Sequence, residues 1–452
     1  MSTDTTRIFL GIDWGTHSSK WACSLGPHRR YFDSLPIYSS DLVTDGESMI
    51  FGAPEKARSE DDLIKWLKGL LINDPLGSSF WASPRADTGT SLGEAVAFSL
   101  CCLLSDAKQK LVDQLDPNDL SDLELGFSFP NWLVDRGRGP KAAARNFCQA
   151  VAASVDLFSS ASARDLPQPR KPYSVQRWKE VVSGVRPAVK ADSVMDLAVE
   201  NMTTLSFGPT HNGVTWRFLT ESAAAGLPYL RATKIEEVPG APGLAKILVV
   251  DVGAGSTDVG YMLRVRNRKT QDEGFYYFPP ASSFKWAGND LTNEIMKYHS
   301  ARGTPLTYAE AEARKLRQTD WVKLSFVEVW KARICDHVSA YIDGVTDERW
   351  LPLPVSLNLV VTGGSGLVPG LRESLREAVC AALLSRRCEQ RVVDKVRLSG
   401  EHIPRLDFAT EAEYARRAVC LGAADHDKPG VRYMAKMDRP VLIQITTPPR
   451  WV

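Results

Sequence analysis

KILVVDVGAGSTDVGYMLRV, residues 246–265, decides the fold. Lys246–Val252 is a continuous apolar strand and Val259–Val265 is a second one. The first ends at Asp251, and the turn that follows is Gly253-Ala254-Gly255-Ser256-Thr257-Asp258. Gly253 and Gly255 bracket a small residue, so several successive turn positions lack side-chain bulk, more than a plain hairpin needs. Successive backbone N–H groups in such a turn form a concavity that suits an anion. Asp251 and Asp258 flank it.

The same grammar stands at the other end of the chain. RIFLGIDWGTHSSKWACSL, residues 7–25, is a strand ending at Asp13, then Gly15-Thr16-His17-Ser18, then a strand over Lys20–Leu25. Asp13 and Asp251 are 238 positions apart. The echo predicts two similar lobes, each opening its sheet with a hairpin. Thr16 and Ser18 add hydroxyl donors to the first turn. A carboxylate beside a bound phosphate repels it unless a cation lies between, so Asp13 predicts Mg²⁺, held through water because this ion keeps most of its hydration shell. A tight Asx-type hairpin is the alternative for the first turn taken alone.

A third element is Val360-Val361-Thr362-Gly363-Gly364-Ser365-Gly366-Leu367-Val368-Pro369-Gly370. It reads as a strand, a glycine turn and a helix over Pro369–Leu384, with Leu371, Leu375, Val379 and Leu383 on one face. Backbone can lie flat against a nucleoside there, and a helix N-terminus favours phosphate. Gly364-x-Gly366-x-x-x-Gly370 is also a loose dinucleotide-binding variant, but it does not open the domain and its one acidic candidate, Asp394, is weakly placed.

Composition narrows the classes. The chain has 452 residues, 55 Lys and Arg, 54 Asp and Glu and a net charge of +1. These values exclude a strongly basic nucleic-acid protein and an acidic disordered one. No apolar run approaches the roughly 18–20 residues of a membrane span, so no membrane partner is expected. The start carries no signal-peptide pattern, and the 8 cysteines contain no C-x-x-C pair, which predicts a reduced, cytoplasmic protein. The 7 histidines have no metal spacing. Further elements are a helix over Ser91–Leu104, a strand over Leu125–Phe129, and a helix over Pro140–Val155 with Ala144, Phe147 and Val151 on one face. Ser159–Tyr173 reads as a loop or insertion.

In this order the three turns resemble those of the ATPase superfamily of actin, the heat-shock chaperones and the sugar kinases, and most closely the nucleotide-binding domain of heat-shock chaperones of the DnaK type. Ile50-Phe51-Gly52-Ala53-Pro54-Glu55-Lys56 is similar to the family's Gly-x-x-x-Lys segment, which implies a catalytic Lys56 at the γ-phosphate. Gly126–Trp132 resembles its strand ending in Val-Pro-x-x-aromatic. Glu221-Ser222-Ala223-Ala224-Ala225 resembles Glu-Pro-x-Ala-Ala-Ala, with Ser222 for the proline, and implies that Glu221 orients water or the metal shell. Trp286–Leu291 resembles Gly-Gly-x-Asp-Leu, with Ala287 for the first glycine and Gly288 at phosphate. Tyr414–Ala424 resembles the last domain helix. Glu312 and Lys315, with Arg314 alongside, match the acid and base placed around adenosine, although i, i+3 surface pairing explains them equally well. His17 replaces a small hydroxyl residue, Trp14 replaces a smaller apolar one, and 89 positions separate Trp132 from Glu221.

The resemblance implies an α/β fold of two actin-like lobes, each a ribonuclease-H-like mixed sheet flanked by helices. Lobe I would span 1–218, with a subdomain near 36–118 and an insertion near 156–205. Lobe II would span 219–400, with a subdomain near 292–355 and the adenosine segment at 360–370. Residues 401–452 would supply a terminal helix returning to lobe I and a short tail, with no peptide-binding domain. ATP or ADP with Mg²⁺ is the implied ligand. Asp13 and Asp251 hold the metal through water and, with Lys56 and Glu221, form the catalytic set. Gly15, Thr16, His17, Gly253, Ala254, Gly255, Ser256 and Gly288 face the phosphates, and Glu312, Lys315, Gly363, Gly364 and Ser365 face the nucleoside. The implied function is an ATP-hydrolysing, chaperone-like switch read by a protein partner. The rivals are an actin-like filament former, a small-molecule kinase and a nucleotide-binding pseudo-enzyme.

Overall fold

Two apolar runs that stop at aspartate each seed a sheet. The computed structural model describes residues 8–25, 30–32, 37–59, 63–65, 67–73, 81, 89–114, 123–129, 141–161, 165–185, 214–237, 243–267, 270–317, 324–346, 355–385, 390–398, 411–424 and 431–433. The chain divides into two units, Met1–Thr220 with Cys420–His426, and Glu221–Val419 with Asp427–Val452.

In the first unit the elements run β1 (Ile8–Trp14), β2 (Ser18–Leu25), β3 (Arg30–Phe32), β4 (Tyr38–Ser39), β5 (Leu42–Thr44), β6 (Ser48–Phe51), β7 (Leu63–Ile64), α1 (Leu67–Asn73), α2 (Leu92–Gln114), β8 (Leu123–Phe129), α3 (Lys141–Ser160), β9 (Tyr173–Ser174), α4 (Val175–Val185) and β10 (Thr215–Thr220). The main sheet has the order β10-β8-β1-β2-β3, with β4 beside β2, and a smaller sheet runs β7-β5-β6-β9. β10, β8 and β1 are parallel, whereas β2 returns antiparallel to β1. All seven residues of β1 are buried, as a strand covered on both faces requires. Helix α2 runs ten residues beyond the expected Leu104. Its start is a capping box: Ser91 N–H donates to Glu94 Oε2 at 2.8 Å, and Glu94 N–H donates to Ser91 Oγ at 3.2 Å.

The second unit contains α5 (Glu221–Ala232), β11 (Gly243–Val252), β12 (Thr257–Arg266), β13 (Glu273–Phe284), α6 (Gly288–Ser300), α7 (Tyr308–Arg317), α8 (Ser325–Thr346), β14 (Leu357–Thr362), α9 (Leu371–Ser385), α10 (Gln390–Val393), β15 (Val396–Leu398) and β16 (Val431–Tyr433). Its sheet has the order β15-β14-β11-β12-β13-β16. β15, β14 and β11 are parallel, while β12 and β13 alternate in direction. The first five strands therefore repeat the plan of the first sheet. The fold is α/β, with mixed sheets flanked by helices. The helix expected from Pro369 begins at Leu371, because Gly370 stands at φ 77° and a 3₁₀ turn over Gly364–Leu367 precedes it.

A last helix, α11 (Glu411–Ala424), belongs to the second unit through Val419 and to the first from Cys420 onward. Its final turns lie directly on the first sheet. Gly11 and Gly126 are register partners on β1 and β8. A Cβ on either would lie 2.1 Å from the Cys420 carbonyl oxygen or 2.0 Å from that of Ala423. The expected 156–205 insertion is described only in part. Within that part, Trp178 of α4 is fully buried, meets Phe98 edge-on at 5.3 Å and donates its indole N–H to the Glu94 carbonyl at 3.0 Å. The described part of this stretch packs into the first unit's core. Pro130–Trp132, all of 186–205 and the tail 439–452 lie outside the described residues.

Candidate functional site

In the first unit, the β1–β2 register pairs Asp13 with Lys20 and Trp14 with Ser19. Asp13 and Lys20 form a buried ion pair, Nζ to Oδ2 at 2.5 Å, and Ser128 Oγ on the neighbouring β8 donates to Asp13 Oδ1 at 3.3 Å. Gly15, Thr16, His17 and Ser18 form the half-buried tip. The His17 carbonyl accepts the Ser40 N–H at 2.9 Å, which ties the tip to the segment after β4. Lys56 is exposed on a 3₁₀ turn, and its ammonium donates to the Arg170 carbonyl at 2.8 Å. The Arg170 N–H donates in turn to the Phe51 carbonyl at 2.7 Å.

In the second unit, the equivalent register position pairs Asp251 with Asp258. Both are buried, and like charges directly opposite one another on a hairpin repel. Thr362 Oγ1 donates to Asp251 Oδ1 at 3.0 Å, and Ser256 Oγ donates to Asp258 Oδ2 at 2.7 Å. Gly253 N–H closes the turn on the Ser256 carbonyl at 3.0 Å. The start of α6 docks on this turn: the Gly288 N–H donates to the Gly253 carbonyl at 3.0 Å and the Asn289 N–H to the Ala254 carbonyl at 2.8 Å. These bonds consume the carbonyl side of the turn. A Cβ at Gly288 would lie 2.9 Å from the Gly253 carbonyl oxygen and 2.0 Å from Ser365 Oγ. Gly363 stands at φ 82°, in the left-handed region, and a Cβ there would lie 2.4 Å from the Val252 carbonyl oxygen. The second turn, Gly288 and Gly363–Ser365 are thus brought together within this unit.

Lys315 is buried at 1% side-chain exposure beside that junction. Its three donors meet Glu312 Oε1 at 2.5 Å, Thr292 Oγ1 at 3.2 Å and the Gly288 carbonyl at 3.3 Å. Burial pushes its pKa below the ordinary lysine value, against the opposing pull of the Glu312 carboxylate. Thr292 also donates to Glu312. The i, i+3 spacing of Glu312 and Lys315 is therefore a buried joint between α6 and α7. Glu221 is buried at the first position of α5. On that helix Gly226 lies against Val249 and Met262 of the sheet. A separate cavity of about 800 Å³ lies at the opposite end of β14 from Thr362, with Lys234, Ser356, Asn358, Lys395 and Arg397 in its wall. Open α/β sheets bind ligands at the carboxyl ends of their strands, so this cavity stands apart from the turns.

Five side chains outside the expected site set, Lys20, Asp258, Ser128, Thr292 and Thr362, make these contacts. The first two could have been found by counting, since a symmetric hairpin centred between Thr16 and His17 sets residue 20 opposite residue 13. A divalent cation needs oxygen donors of negative charge. The Asp251–Asp258 pair offers them, but the Asp13 carboxylate already holds an ammonium. No protein-family model matches the chain, and no curated protein matches it.

Proposed function

We propose that the chain is an ATP-binding, ATP-hydrolysing switch with two actin-like lobes, whose nucleotide state is read by a protein partner. One observation carries this reading. Within the second unit, three glycine-bearing segments from distant parts of the sequence converge at the carboxyl ends of the parallel strands β11 and β14: the Asp251–Ser256 turn, the Gly288 helix start and the Gly363–Ser365 turn. The repeated strand order of the two sheets supports the same reading.

Catalysis would be positioning and electrostatics, as in phosphoryl transfer generally. The backbone of Gly253–Ser256 and the Ser256 hydroxyl face the phosphates. Gly363, Gly364 and Ser365 form the wall against the nucleoside, and the Glu312–Lys315 joint fixes the helices beside it. Asp251 and Asp258 are the oxygen donors that fit Mg²⁺, which when bound neutralises phosphate charge. Glu221 orients water, and Lys56 is the residue that the family resemblance assigns to the γ-phosphate.

Titration calorimetry tests the reading. A saturable one-to-one heat with ATP is expected, and no heat at millimolar ATP would refute it. For turnover, Lys56→Ala is expected to cut phosphate release by about 10²–10³-fold while ATP binding persists. The engagement of Lys56 with Arg170 favours one second reading, a chain that binds ATP without hydrolysing it. Phosphate release at the uncatalysed rate in the unmodified protein would decide for that reading.

A further inference from the structure

One corner of the second unit's sheet has a polar face. Leu357 and Leu359 of β14 and Val396 of β15 belong to the hydrophobic core. Ser356 and Asn358, and Lys395 and Arg397, alternate with them along the two strands and so share the other face. The parallel register sets Asn358 beside Arg397. Parallel strands are normally covered by apolar groups on both faces. Here the four polar side chains line the cavity of about 800 Å³, with Lys234 and Glu236 from the segment after α5.

Two independent observations point to a ligand. Ser356 is 4% exposed, and its Oγ has no hydrogen-bond partner among the described residues. A buried hydroxyl left unpaired is costly, and folded proteins seldom keep one without a use for it. The charges give the ligand's kind. Lys395 and Glu237 in the wall offset one another. Of the remaining charged groups, Glu236 already accepts the Ser356 N–H on Oε1 at 3.1 Å, whereas Lys234 and Arg397 have no ion-pair partner among the described residues. The Asn358 amide is occupied by the Lys246 carbonyl at 3.2 Å. A hydroxyl donor and two cations suit an oxyanion, and an arginine fork can hold a carboxylate or a phosphate by two bonds. The volume is that of a site for a small organic molecule.

We infer that this cavity binds a small organic oxyanion, a phosphate ester or a carboxylate, whose charged group is held by Lys234 and Arg397 and accepts the Ser356 hydroxyl. The site lies at the opposite end of β14 from the glycine turns and does not depend on nucleotide binding there.

Thermal unfolding of the full chain against inorganic phosphate and, separately, citrate tests this. Both salts also stabilise proteins in general by exclusion from the surface, a rise that does not saturate and is common to all variants. A saturable rise in melting temperature is expected above it with at least one probe, and the effective probe tells a phosphate site from a carboxylate site. Arg397→Gln is expected to weaken the apparent affinity about tenfold, and Ser356→Ala about threefold. Ser356→Ala is also expected to raise the melting temperature without probe, because it removes the unpaired hydroxyl. Stability and affinity then move in opposite directions, which damage to the fold does not mimic. A rise that saturates with neither probe overturns the inference. So does saturable binding that is unchanged in Arg397→Gln or in Ser356→Ala.

Discussion

Gly288 sits where only a hydrogen fits, between a backbone carbonyl that cannot retreat and the Ser365 hydroxyl. Gly288→Val is therefore expected to lower the stability of the second unit by about 1–3 kcal/mol, measured by denaturant unfolding, and to abolish ATP binding. The cysteines give a second residue-scale expectation. Cys23, Cys101 and Cys148 are buried free thiols, and burial pushes their pKa values up to about 12. The thiolate is the reactive species, so an aromatic disulfide reagent at pH 8 should leave these three untouched in the folded protein and titrate them in denaturant. Rapid native labelling of any of them would refute that. At this scale sequence reading was uneven. The Gly253–Ser256 turn was legible from its run of small residues, and the Gly363 turn because φ 82° is a conformation that favours glycine. The role of Lys20 was not, because in a strand pattern it reads as one polar position among others until register gives it a partner. The exposed or paired state of Lys315 was equally open, since i, i+3 spacing is the same on a surface as in a joint.

Among the elements, β12 and β13 are joined by a charge cluster at their far ends. Arg264 donates to Glu273 Oε2 at 2.8 and 2.6 Å, and Arg266 donates to Oε1 at 2.9 and 2.8 Å. Burial raises the Glu273 pKa, but the hydrogen bonds and charges of the two guanidiniums outweigh it and hold the carboxyl below its ordinary 4.5. A depressed folded value means that the stabilisation is complete above the unfolded pKa and is lost as pH falls through the folded one. The melting temperature should therefore fall on acidification below about pH 4.5, and more steeply in the unmodified protein than in Glu273→Gln. Equal slopes would show that the cluster contributes nothing. The strands β1, β11 and β14 were legible because largely apolar runs mark strands covered on both faces, and β2 and β12 because each returns after an Asp-Gly turn. β13 was not, because Pro279 and Pro280 interrupt its pattern, and proline argues against a strand unless a bulge or irregularity admits it. Its pairing with β12 slips between Val259 and Tyr261, which is such an irregularity.

At the scale of the whole molecule, each unit closes its own hydrophobic core. Trp178, Phe98, Leu111 and Cys148 belong to the first, and Trp330, Ile334, Leu375 and Val379 to the second. Separate cores predict separate cooperative transitions, so scanning calorimetry is expected to resolve two. Leu111→Ala should lower one by about 2–5 kcal/mol and Leu375→Ala the other. A single transition shifted alike by both would contradict this. The two-unit plan was legible from the repeated Asp-Gly-hydroxyl hairpins, but the extent of the first unit's core was not, since nothing local in 165–185 announces that Trp178 fills it. The glycine pair Gly11 and Gly126 has a consequence for biosynthesis. The stretch that covers them, Cys420–Ala424, is translated long after both glycines. The sheet of β1 and β8 thus waits for its covering turns during synthesis, with the strip of backbone along Gly11 and Gly126 bare until they arrive.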